Sequence, residues 1–363
     1  MVEHPSNQQT PPPALNVIIL AGGSGKRFWP LSSEDLPKQF LPLLSEDPMI
    51  IETLKRLSHA PFTVRKVFVL THERYKSWFE SHPFFQKSPF ETELVYEPMA
   101  KNTGPTLTWV ALNILKSQSD PSPCLVLSAD HWISPTDVFQ QQVLELYEDW
   151  AQSTQPCIYT IGIPPTFPST DYGYIECEWN RSDPISQVKS FKEKPNRPTA
   201  ERYLTQKSIL WNAGIFFFHP QALVDMIHEF CPEIRDVIPK YISLRYKHEF
   251  FRNAPTLSID HALLEKTPYR KCLRAQFKWS DIGTWPGLQA WQSLSGKLSP
   301  YARIPYGDST DRSITFTDHE HPVILLGCEN LYVINCKGKI LVAHQDHIHR
   351  LKEVIEGLPD SSR

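Results

Sequence analysis

The sequence predicts an α/β protein with a mainly parallel sheet, followed by a small β-rich C-terminal part. Short apolar runs rich in branched residues alternate with stretches of helical spacing, which is the pattern of repeated strand–helix–strand units. After about Ala290 a stretch rich in Pro, Gly and Ser leads into three short apolar runs. Of the 363 residues, 40% are hydrophobic and 21% charged, which favours two domains, or one large and one small.

The predicted elements follow from these two periodicities. Apolar side chains from Leu107 to Leu115 recur at helical spacing, with Thr103 and Pro105 as start signals, and the same spacing predicts helices over residues 137–151, 223–230 and 258–266. The predicted strands are residues 16–20, 66–70, 93–96, 124–128, 157–161 and 214–218, then 323–326, 331–335 and 339–343. We expect a disordered tail over 1–14, a catalytic domain over 15–290, and a linker with a small β domain over 291–363.

Charge and cysteine content exclude several classes of protein. The 37 basic and 40 acidic residues give a net charge of −3 with no long run of either sign, so nothing indicates a nucleic acid partner. Seven cysteines without a C-x-x-C pair predict neither a disulfide framework nor a zinc site, which favours a reducing, cytoplasmic compartment. The N-terminus lacks the features of a signal peptide, and no run approaches 18 apolar residues, so no membrane contact is expected.

A glycine-rich loop directly after the first strand predicts a phosphate site. Its residues are Leu20, Ala21, Gly22, Gly23, Ser24 and Gly25, and the cations Arg27 and Lys38 follow. Glycines let backbone N–H groups approach a polyphosphate, and the two cations offset its charge. Leu20 and Arg27 break the P-loop pattern, and Phe28 breaks the dinucleotide pattern, so both of those sites are disfavoured. A glycine turn without a ligand remains the alternative.

These residues belong to a longer set of motifs. The signature of sugar-1-phosphate nucleotidylyltransferases is closely resembled by two segments, L-A-G-G-S-G-K-R-F-W-P-L and P-K-Q-F-L. Their particular residues resemble the mannose-1-phosphate guanylyltransferase branch of the single-function type. Further motifs agree in order: E-P at 97, N-T-G-P at 102, S-A-D-H at 128, Y-G-Y-I at 172, F-K-E-K-P at 191, W-N-A-G at 211, S-I-D at 258 and W-S-D-I-G-T-W at 279. The resemblance implies a Rossmann-like fold of the nucleotide-diphospho-sugar transferase type with a left-handed β-helix-like C-terminal domain.

The resemblance also implies a reaction and its residues. GTP and mannose 1-phosphate would give GDP-mannose and pyrophosphate with Mg²⁺ as the cofactor, and a homodimer is left open. The expected roles are catalytic for Arg27, Lys38, Asp130 and Lys194; metal binding for Asp130 and Asp281; nucleotide binding for the glycine loop with Arg27, Lys38 and Asn102; and sugar binding for Tyr172, Gly173, Glu193, Lys194, Asn212 and Gly214.

Two features of the residues themselves agree with these roles. Asp130 follows an apolar run, so we expect its carboxylate at the carboxyl edge of the sheet, where ligands of open α/β folds bind. Pro195 should hold Lys194 in an extended conformation. The alternatives are a turn or cap role for each aspartate, a solvated strand end for 192–194, and a purely structural His131.

Other functions remain open at this point. They are the same reaction with another sugar or with UTP or dTTP, and a noncatalytic regulatory protein that binds a nucleotide sugar; a dehydrogenase is disfavoured by the broken dinucleotide pattern. The chain departs from the family's usual residues at Lys26, Ala129, Asp171 and His261. Because the chain ends within about 20 residues of the last predicted strand, we expect no isomerase domain, which would need on the order of 100 residues.

Overall fold

A computed structural model describes residues 13–23, 26–179, 183–240, 242–307, 312–319 and 321–359, without the side chains of Lys26 and Leu244. The chain divides into two compact units, and each is described by itself. The first unit contains residues 1–20, 56–128 and 133–279, and the second contains residues 21–55, 129–132 and 280–363. Each unit is therefore assembled from three separate stretches of chain.

Eleven strands precede the C-terminal region within the described part of the chain. They are β1 (Ala14–Leu20), β2 (Thr63–His72), β3 (Thr92–Glu97), β4 (Cys124–Ser128), β5 (Trp132–Ser134), β6 (Ile158–Ile163), β7 (Tyr174–Cys177), β8 (Ile185–Lys192), β9 (Ile209–Phe218), β10 (Arg270–Arg274) and β11 (Lys278–Ser280). All six strands predicted from the first part of the sequence are among them. β1 begins at Ala14, and the remainder of the predicted tail, residues 1–12, lies outside the described residues.

The first unit is built on a nine-stranded sheet in the order β3-β2-β1-β4-β9-β6-β10-β8-β7. The four strands β3, β2, β1 and β4 run parallel, and β6 and β10 form a further parallel pair. β9 pairs antiparallel with both β4 and β6, and β7 and β8 add an antiparallel edge. The predicted Rossmann-like α/β class is confirmed, since buried β1 and β4 have the continuous apolar runs of strands covered on both faces.

The helices follow the predicted apolar spacing closely. The predicted helices over 107–115, 137–151 and 223–230 lie within α4, α5 and α7. No helix in the described ranges is long and apolar enough to cross a membrane. The helices are α1 (Met49–Lys55), α2 (Lys76–Ser81), α3 (Pro83–Gln86), α4 (Thr103–Ser117), α5 (Thr136–Gln152), α6 (Arg197–Leu204), α7 (Pro220–Phe230), α8 (Pro232–Arg235), α9 (Leu244–Asn253), α10 (Trp285–Ser295) and α11 (Leu351–Glu356).

Short turns of other helix types complete the pattern. Residues Lys26–Phe28, Lys38–Phe40, Glu73–Tyr75 and Gln345–Arg350 form 3₁₀ turns. The helix predicted over 258–266 is a π-helical turn, Asp260–Leu264, rather than an α-helix. Single π turns are rare in proteins, and those that occur are often found at functional sites. The apolar spacing of a short segment does not distinguish a π turn from an α-helix.

The second unit contains the β-rich C-terminal part, as predicted. Its strands are β12 (Ala302–Arg303), β13 (Tyr306–Gly307), β14 (Ile314–Thr317), β15 (Ile324–Leu325), β16 (Leu331–Cys336) and β17 (Lys339–His344). β13 pairs parallel with β15, and β14 pairs parallel with β16. Both pairings join residues 18 positions apart, Tyr306 with Ile324 and Ile314 with Tyr332. The constant offset indicates two stacked coils of chain, which agrees with the β-helix-like expectation.

One apolar core joins the three stretches of the second unit. Phe28 and Leu41, from the glycine-loop stretch, belong to the same buried cluster as Trp285, Phe316 and Ile334. The ring centroid of Trp285 lies 5.0 Å from that of Phe28 and 4.8 Å from that of Phe316. Residue 290, the predicted domain boundary, lies inside α10. The C-terminal strands therefore help to hold the segment that follows the glycine loop.

This shared core gives a stability prediction. Phe316 is fully buried, so Phe316→Ala leaves a cavity and should lower the free energy of unfolding by about 3–5 kcal/mol, as measured by urea unfolding. Ile340 is 66% exposed on β17, so Ile340→Ala should change it by less than about 0.5 kcal/mol. Equal effects of the two substitutions would contradict the shared core.

Candidate active site

The glycine-rich loop begins directly after β1 and is held by a buried glutamine. Gln39 is 3% exposed, and its Nε2 donates a 2.9 Å hydrogen bond to the carbonyl of Ala21. Gly23 has φ +104°, a conformation that side chains disfavour, and Cβ atoms added at Gly22 or Gly23 would meet nothing within 4 Å. Leu20 ends β1 in the first unit, the loop from Ala21 belongs to the second, and the predicted residues Ser24 and Gly25 lie outside the described residues.

A buried lysine joins two predicted metal ligands. Lys38 opens the 3₁₀ turn after the loop and is 7% exposed. Its Nζ lies 2.8 Å from Oδ2 of Asp130 and also donates a hydrogen bond to the backbone carbonyl of Asp281. Burial raises the pKa of Asp130, but the charge of Lys38, and then that of His131, outweighs it and holds the pKa below its ordinary value. Asp130 is therefore a carboxylate at neutral pH.

These groups line one cleft of about 330 Å³ within the second unit. The cleft brings together four of the predicted residues, Arg27, Lys38, Asp130 and Asp281, with the start of the glycine loop. The remaining lining residues are Phe28, Gln39, His131, Gly283 and Lys352. Cations, carboxylates and glycine backbone together make a surface suited to a phosphate chain with a bound cation.

The turn that carries Asp281 holds its carboxylate tightly. Ile282 has φ +44°, which is rare for a branched residue, and the N–H of Gly283 donates a 3.3 Å hydrogen bond to Oδ1 of Asp281. A Cβ at Gly283 would lie 2.8 Å from Oδ2 of Asp281 and 3.5 Å from Nη1 of Arg27. A larger residue at this position would therefore force the Asp281 carboxylate to shift from its place beside Arg27.

The donor set of the cleft fits a hard divalent cation bound together with phosphate. Asp130 and Asp281 supply two carboxylates, and Mg²⁺ typically takes one or two carboxylates plus phosphate oxygens and water. Among the described residues, no group of three or more His, Cys, Asp or Glu residues could hold a metal by itself. The donor set of the cleft therefore fits a divalent cation that also takes ligands from a bound phosphate.

The predicted sugar-binding residues lie in the first unit. Glu193 follows β8, its side chain is 14% exposed, and its Oε1 lies 3.1 Å from Nζ of Lys194. A Cβ at Gly173 would lie 2.5 Å from Oε2 of Glu193 and 2.9 Å from the ring of Phe191. Gly173 is therefore needed to let the Glu193 carboxylate approach the backbone of the Tyr172 segment.

Three hydrogen bonds with neighbouring protein groups hold the side-chain amide of Asn212. Its Oδ1 accepts hydrogen bonds from Oγ1 of Thr160 at 2.8 Å and from the N–H of Gly214 at 3.2 Å. Its Nδ2 donates a 2.8 Å hydrogen bond to Oδ1 of Asp260. Gly214 has φ +65°, and this kink in β9 lets its N–H reach the Asn212 side chain. The geometry makes Asn212 a group that orients Asp260.

Asp260 is a candidate site residue to which the sequence analysis gave no role, although its S-I-D motif was among those quoted. Burial, and then the charge of Glu193, raise the pKa of Asp260 to about 6. A carboxyl group that is partly protonated near neutrality can accept or donate a hydrogen bond, which suits contact with sugar hydroxyls. The signal that could have found it is an acidic residue inside a short apolar helix.

Aromatic rings surround Tyr172. The Tyr172 ring centroid lies 5.2 Å from that of Trp211 and 5.4 Å from that of Trp279, both in edge-to-face geometry. Phe167 adds a third ring at 6.3 Å. These contacts fix the segment that leads into Gly173.

The prediction that Lys194 is extended is wrong. Its φ is +42°, in the left-handed region, although Pro195 follows it. A non-glycine residue in that region costs on the order of 1–3 kcal/mol, and such strain is concentrated at functional sites. Pro195 is buried and begins the approach to α6, so tertiary packing overrides the local preference of the residue before proline. The Lys194 side chain is 60% exposed, and its Nζ forms an ion pair with Glu193.

Asn102 lies in the first unit at the start of α4. Its Oδ1 accepts a 2.8 Å hydrogen bond from the N–H of Thr103, and its φ is +66°. Asn102 thus caps the helix that the sequence predicted, as a start residue typically does. Its expected contact with the nucleotide stays a prediction.

The fold and the cleft lined by Arg27, Lys38, Asp130 and Asp281 agree with one class of enzyme. The family model described as Nucleotidyl transferase matches residues 16–294, more than half of the chain. The chain belongs to the nucleotidyl transferase family, and it is an enzyme of that class.

Its relatives narrow the class. The xanthan biosynthesis protein XanB of Xanthomonas campestris is 32% identical over 356 residues, which cover 95% of this chain and 73% of that protein. Mannose-1-phosphate guanylyltransferase of Klebsiella pneumoniae is 30% identical, with 95% and 74% covered. A Thermus thermophilus structure described as a mannose-1-phosphate geranyltransferase has a TM-score of 0.78 at 24% identity, with 95% and 98% covered, and shows the same fold. Within the family, the chain is similar to mannose-1-phosphate guanylyltransferases.

The raised pKa of Asp260 predicts a pH dependence of stability. The folded chain holds this proton more tightly than the unfolded chain, so between about pH 4 and pH 6 stability falls as pH rises, and above that window the full penalty applies. In the wild type, ionisation of Asp260 should lower the free energy of unfolding by about 2–3 kcal/mol across this pH range. Asp260→Asn removes the ionisation, so urea unfolding of this variant should show no such decrease. Asp120 is exposed, so Asp120→Asn should leave the decline in place. An unchanged pH profile for Asp260→Asn would contradict the environment described.

Proposed function

We propose that the protein transfers GMP from GTP to mannose 1-phosphate, giving GDP-mannose and pyrophosphate. The observation that carries the proposal is the cleft in which a glycine loop, Arg27 and Lys38 meet the carboxylates of Asp130 and Asp281. The choice of sugar and base in this proposal rests on the relatives named mannose-1-phosphate guanylyltransferase. Several of them are 29–31% identical along 94–95% of the chain.

The reaction requires no activated nucleophile. A phosphate oxygen of the sugar 1-phosphate forms a bond to the α-phosphorus of GTP, and the bond from that phosphorus to the bridging oxygen breaks, so that pyrophosphate leaves with the electron pair. The attacking oxygen is already an anion at neutral pH, so no general base is needed. The protein must hold two anions that repel each other and stabilise the charge that develops between them.

The cleft of the second unit supplies groups for the nucleotide. We assign the triphosphate to the backbone of Ala21, Gly22 and Gly23 and to the charges of Arg27 and Lys38, with Ser24 and Gly25 completing the loop. Asp130 and Asp281 would hold Mg²⁺, which supplies Lewis-acid stabilisation of the phosphates when bound. Lys38 orients both acidic residues, because it pairs with one carboxylate and hydrogen-bonds the other residue's carbonyl.

The cluster of the first unit supplies groups for the sugar. Glu193 and Asp260 offer carboxyl groups to sugar hydroxyls, and Asn212 orients Asp260. We assign the sugar phosphate to Lys194, because its side chain is a cation that is 60% exposed beside Glu193. Tyr172, Gly173 and Gly214 shape the pocket, and Asn102 is proposed near the base or ribose.

Two further properties belong to the same proposal. A reducing, cytoplasmic setting agrees with the seven cysteines, all of which are free thiols. A homodimer is proposed as the working form, since the C-terminal part exposes apolar side chains such as Ile304, Ile324 and Leu326. Size measurement in solution tests it.

The substrate assignment is tested with a panel of four nucleoside triphosphates and several sugar 1-phosphates. GTP with mannose 1-phosphate should give the highest kcat/KM, with pyrophosphate released in equal amount to GDP-mannose. A preference for UTP, dTTP or glucose 1-phosphate would overturn the substrate assignment but would leave the assigned class of reaction unchanged. Binding of a nucleotide sugar without any pyrophosphate release would favour the noncatalytic alternative.

The metal assignment predicts that turnover depends on Mg²⁺ and on both carboxylates. Asp130→Asn and Asp281→Asn should each lower kcat at least about 100-fold, because each would remove a carboxylate that would hold the ion and so weaken the charge stabilisation that the ion would supply. Thermal unfolding checks that the variants fold. Asp346, 82% exposed in the same unit, provides the control Asp346→Asn, which should keep full activity. Full turnover in EDTA would refute the assignment.

The two lysines should separate by substrate. Lys38→Ala should raise the KM for GTP by about tenfold or more, whereas Lys194→Ala should raise the KM for mannose 1-phosphate. Both changes can lower kcat, since each cation also faces charge that shifts during the reaction. Lys55→Ala and Lys189→Ala remove exposed lysines elsewhere in the corresponding units and serve as controls. The opposite pairing of KM effects would exchange the assigned roles.

A further inference from the structure

A lysine from the C-terminal helix lines the cleft of the second unit, to which we have assigned the triphosphate. Lys352 belongs to α11 and is one of the lining residues of the cleft that also contains Arg27, Lys38 and the two carboxylates. Its side chain is 64% exposed, and its Nζ lies 3.8 Å from Oε1 of Glu356, one turn further along the helix. No motif in the sequence analysis included this residue.

The fold holds α11 at this place through its apolar face. Leu351 and Ile355 are 9% and 3% exposed, and both belong to the buried cluster that contains Phe28. α11 also packs against the turn Lys26–Phe28, which carries Arg27. The two buried side chains are four positions apart and lie on one face of the helix, and Lys352, on the flank of that face, is among the residues that line the cleft.

The charges of the cleft require more cations than the motifs supply. Lys38 is already paired with Asp130 and hydrogen-bonded to Asp281, so much of its charge is compensated before any ligand binds. A nucleoside triphosphate brings several negative charges, of which a divalent ion offsets only two. Among the described lining residues, the other cations of the cleft are Arg27 and Lys352.

We propose that Lys352 is a third polyphosphate-binding cation of the cleft, and that it contacts the part of the nucleotide that leaves as pyrophosphate. The inference rests on the proposed function, since it deepens the assignment of the same cleft. Glu356 competes with the ligand for Lys352, and because their 3.8 Å ion pair is exposed, a phosphate oxygen can displace it at little cost. The C-terminal part thus supplies a binding group as well as core residues.

The test measures binding of inorganic pyrophosphate with Mg²⁺ by calorimetry on the full chain. Lys352→Gln should raise the dissociation constant for pyrophosphate by about threefold to tenfold, and its binding should depend less on salt than that of the wild type. Lys352→Arg keeps the charge and should retain most of the wild-type affinity. Lys297 is an exposed lysine of the same unit that does not line the cleft, so Lys297→Gln is the matched control and should bind as the wild type does. The KM for mannose 1-phosphate should stay unchanged in all three variants.

The outcomes separate the two proposals. Equal binding by Lys352→Gln and the wild type, or equal loss in Lys297→Gln, would overturn the role of Lys352, as would a wild type that does not bind pyrophosphate. If pyrophosphate binding depends on Lys352 but GTP and mannose 1-phosphate do not react, the substrate assignment fails while the lysine's role stands. If Lys352→Gln does not fold, Glu356→Gln decides: tighter binding supports the proposal, and unchanged or weaker binding contradicts it.

Discussion

The buried ammonium group of Lys38 is the contact on which the candidate nucleotide site depends. It pairs with Asp130 from one stretch of chain and hydrogen-bonds the carbonyl of Asp281 from another. A buried charge without a partner is strongly unfavourable, so the three stretches of the second unit are held to one arrangement. The same lysine keeps Asp130 ionised, which is the state that a hard cation requires.

The apolar core beneath this contact makes it a fixed feature. Trp285 follows the Asp281 turn and packs its ring between Phe28, from the loop stretch, and Phe316, from the C-terminal strands. Its Nε1 donates a 3.1 Å hydrogen bond to the carbonyl of Trp29. The backbone on both sides of the cleft is therefore tied to one indole ring. This explains why the candidate nucleotide site and the β-rich C-terminal part share one compact unit.

The cluster of the first unit follows a different principle. Its side chains depend on close backbone approach, since Gly173 makes room for Glu193 and Gly214 turns its N–H toward Asn212. Glu193 and Asp260 are two acidic groups whose mutual repulsion, added to burial, raises the pKa of Asp260. The left-handed backbone of Lys194 is a further cost in the same segment. Unfavourable local terms of this kind are typical of sites whose arrangement serves binding rather than stability.

The sequence by itself determined nine of the seventeen described strands, three of the main helices and the glycine loop with its cations, because these features depend on local periodicity and on residue type. It also indicated Asp130 and Asp281 through their motifs. Only the tertiary structure decided that Lys38 joins those two residues, that Asn212 orients Asp260, and that Lys352 lines the phosphate cleft. Those contacts link residues far apart in the chain, and no local pattern encodes them. Lys194 shows the reverse case, since the preference of a residue before proline was clear in the sequence and the packing around it prevailed.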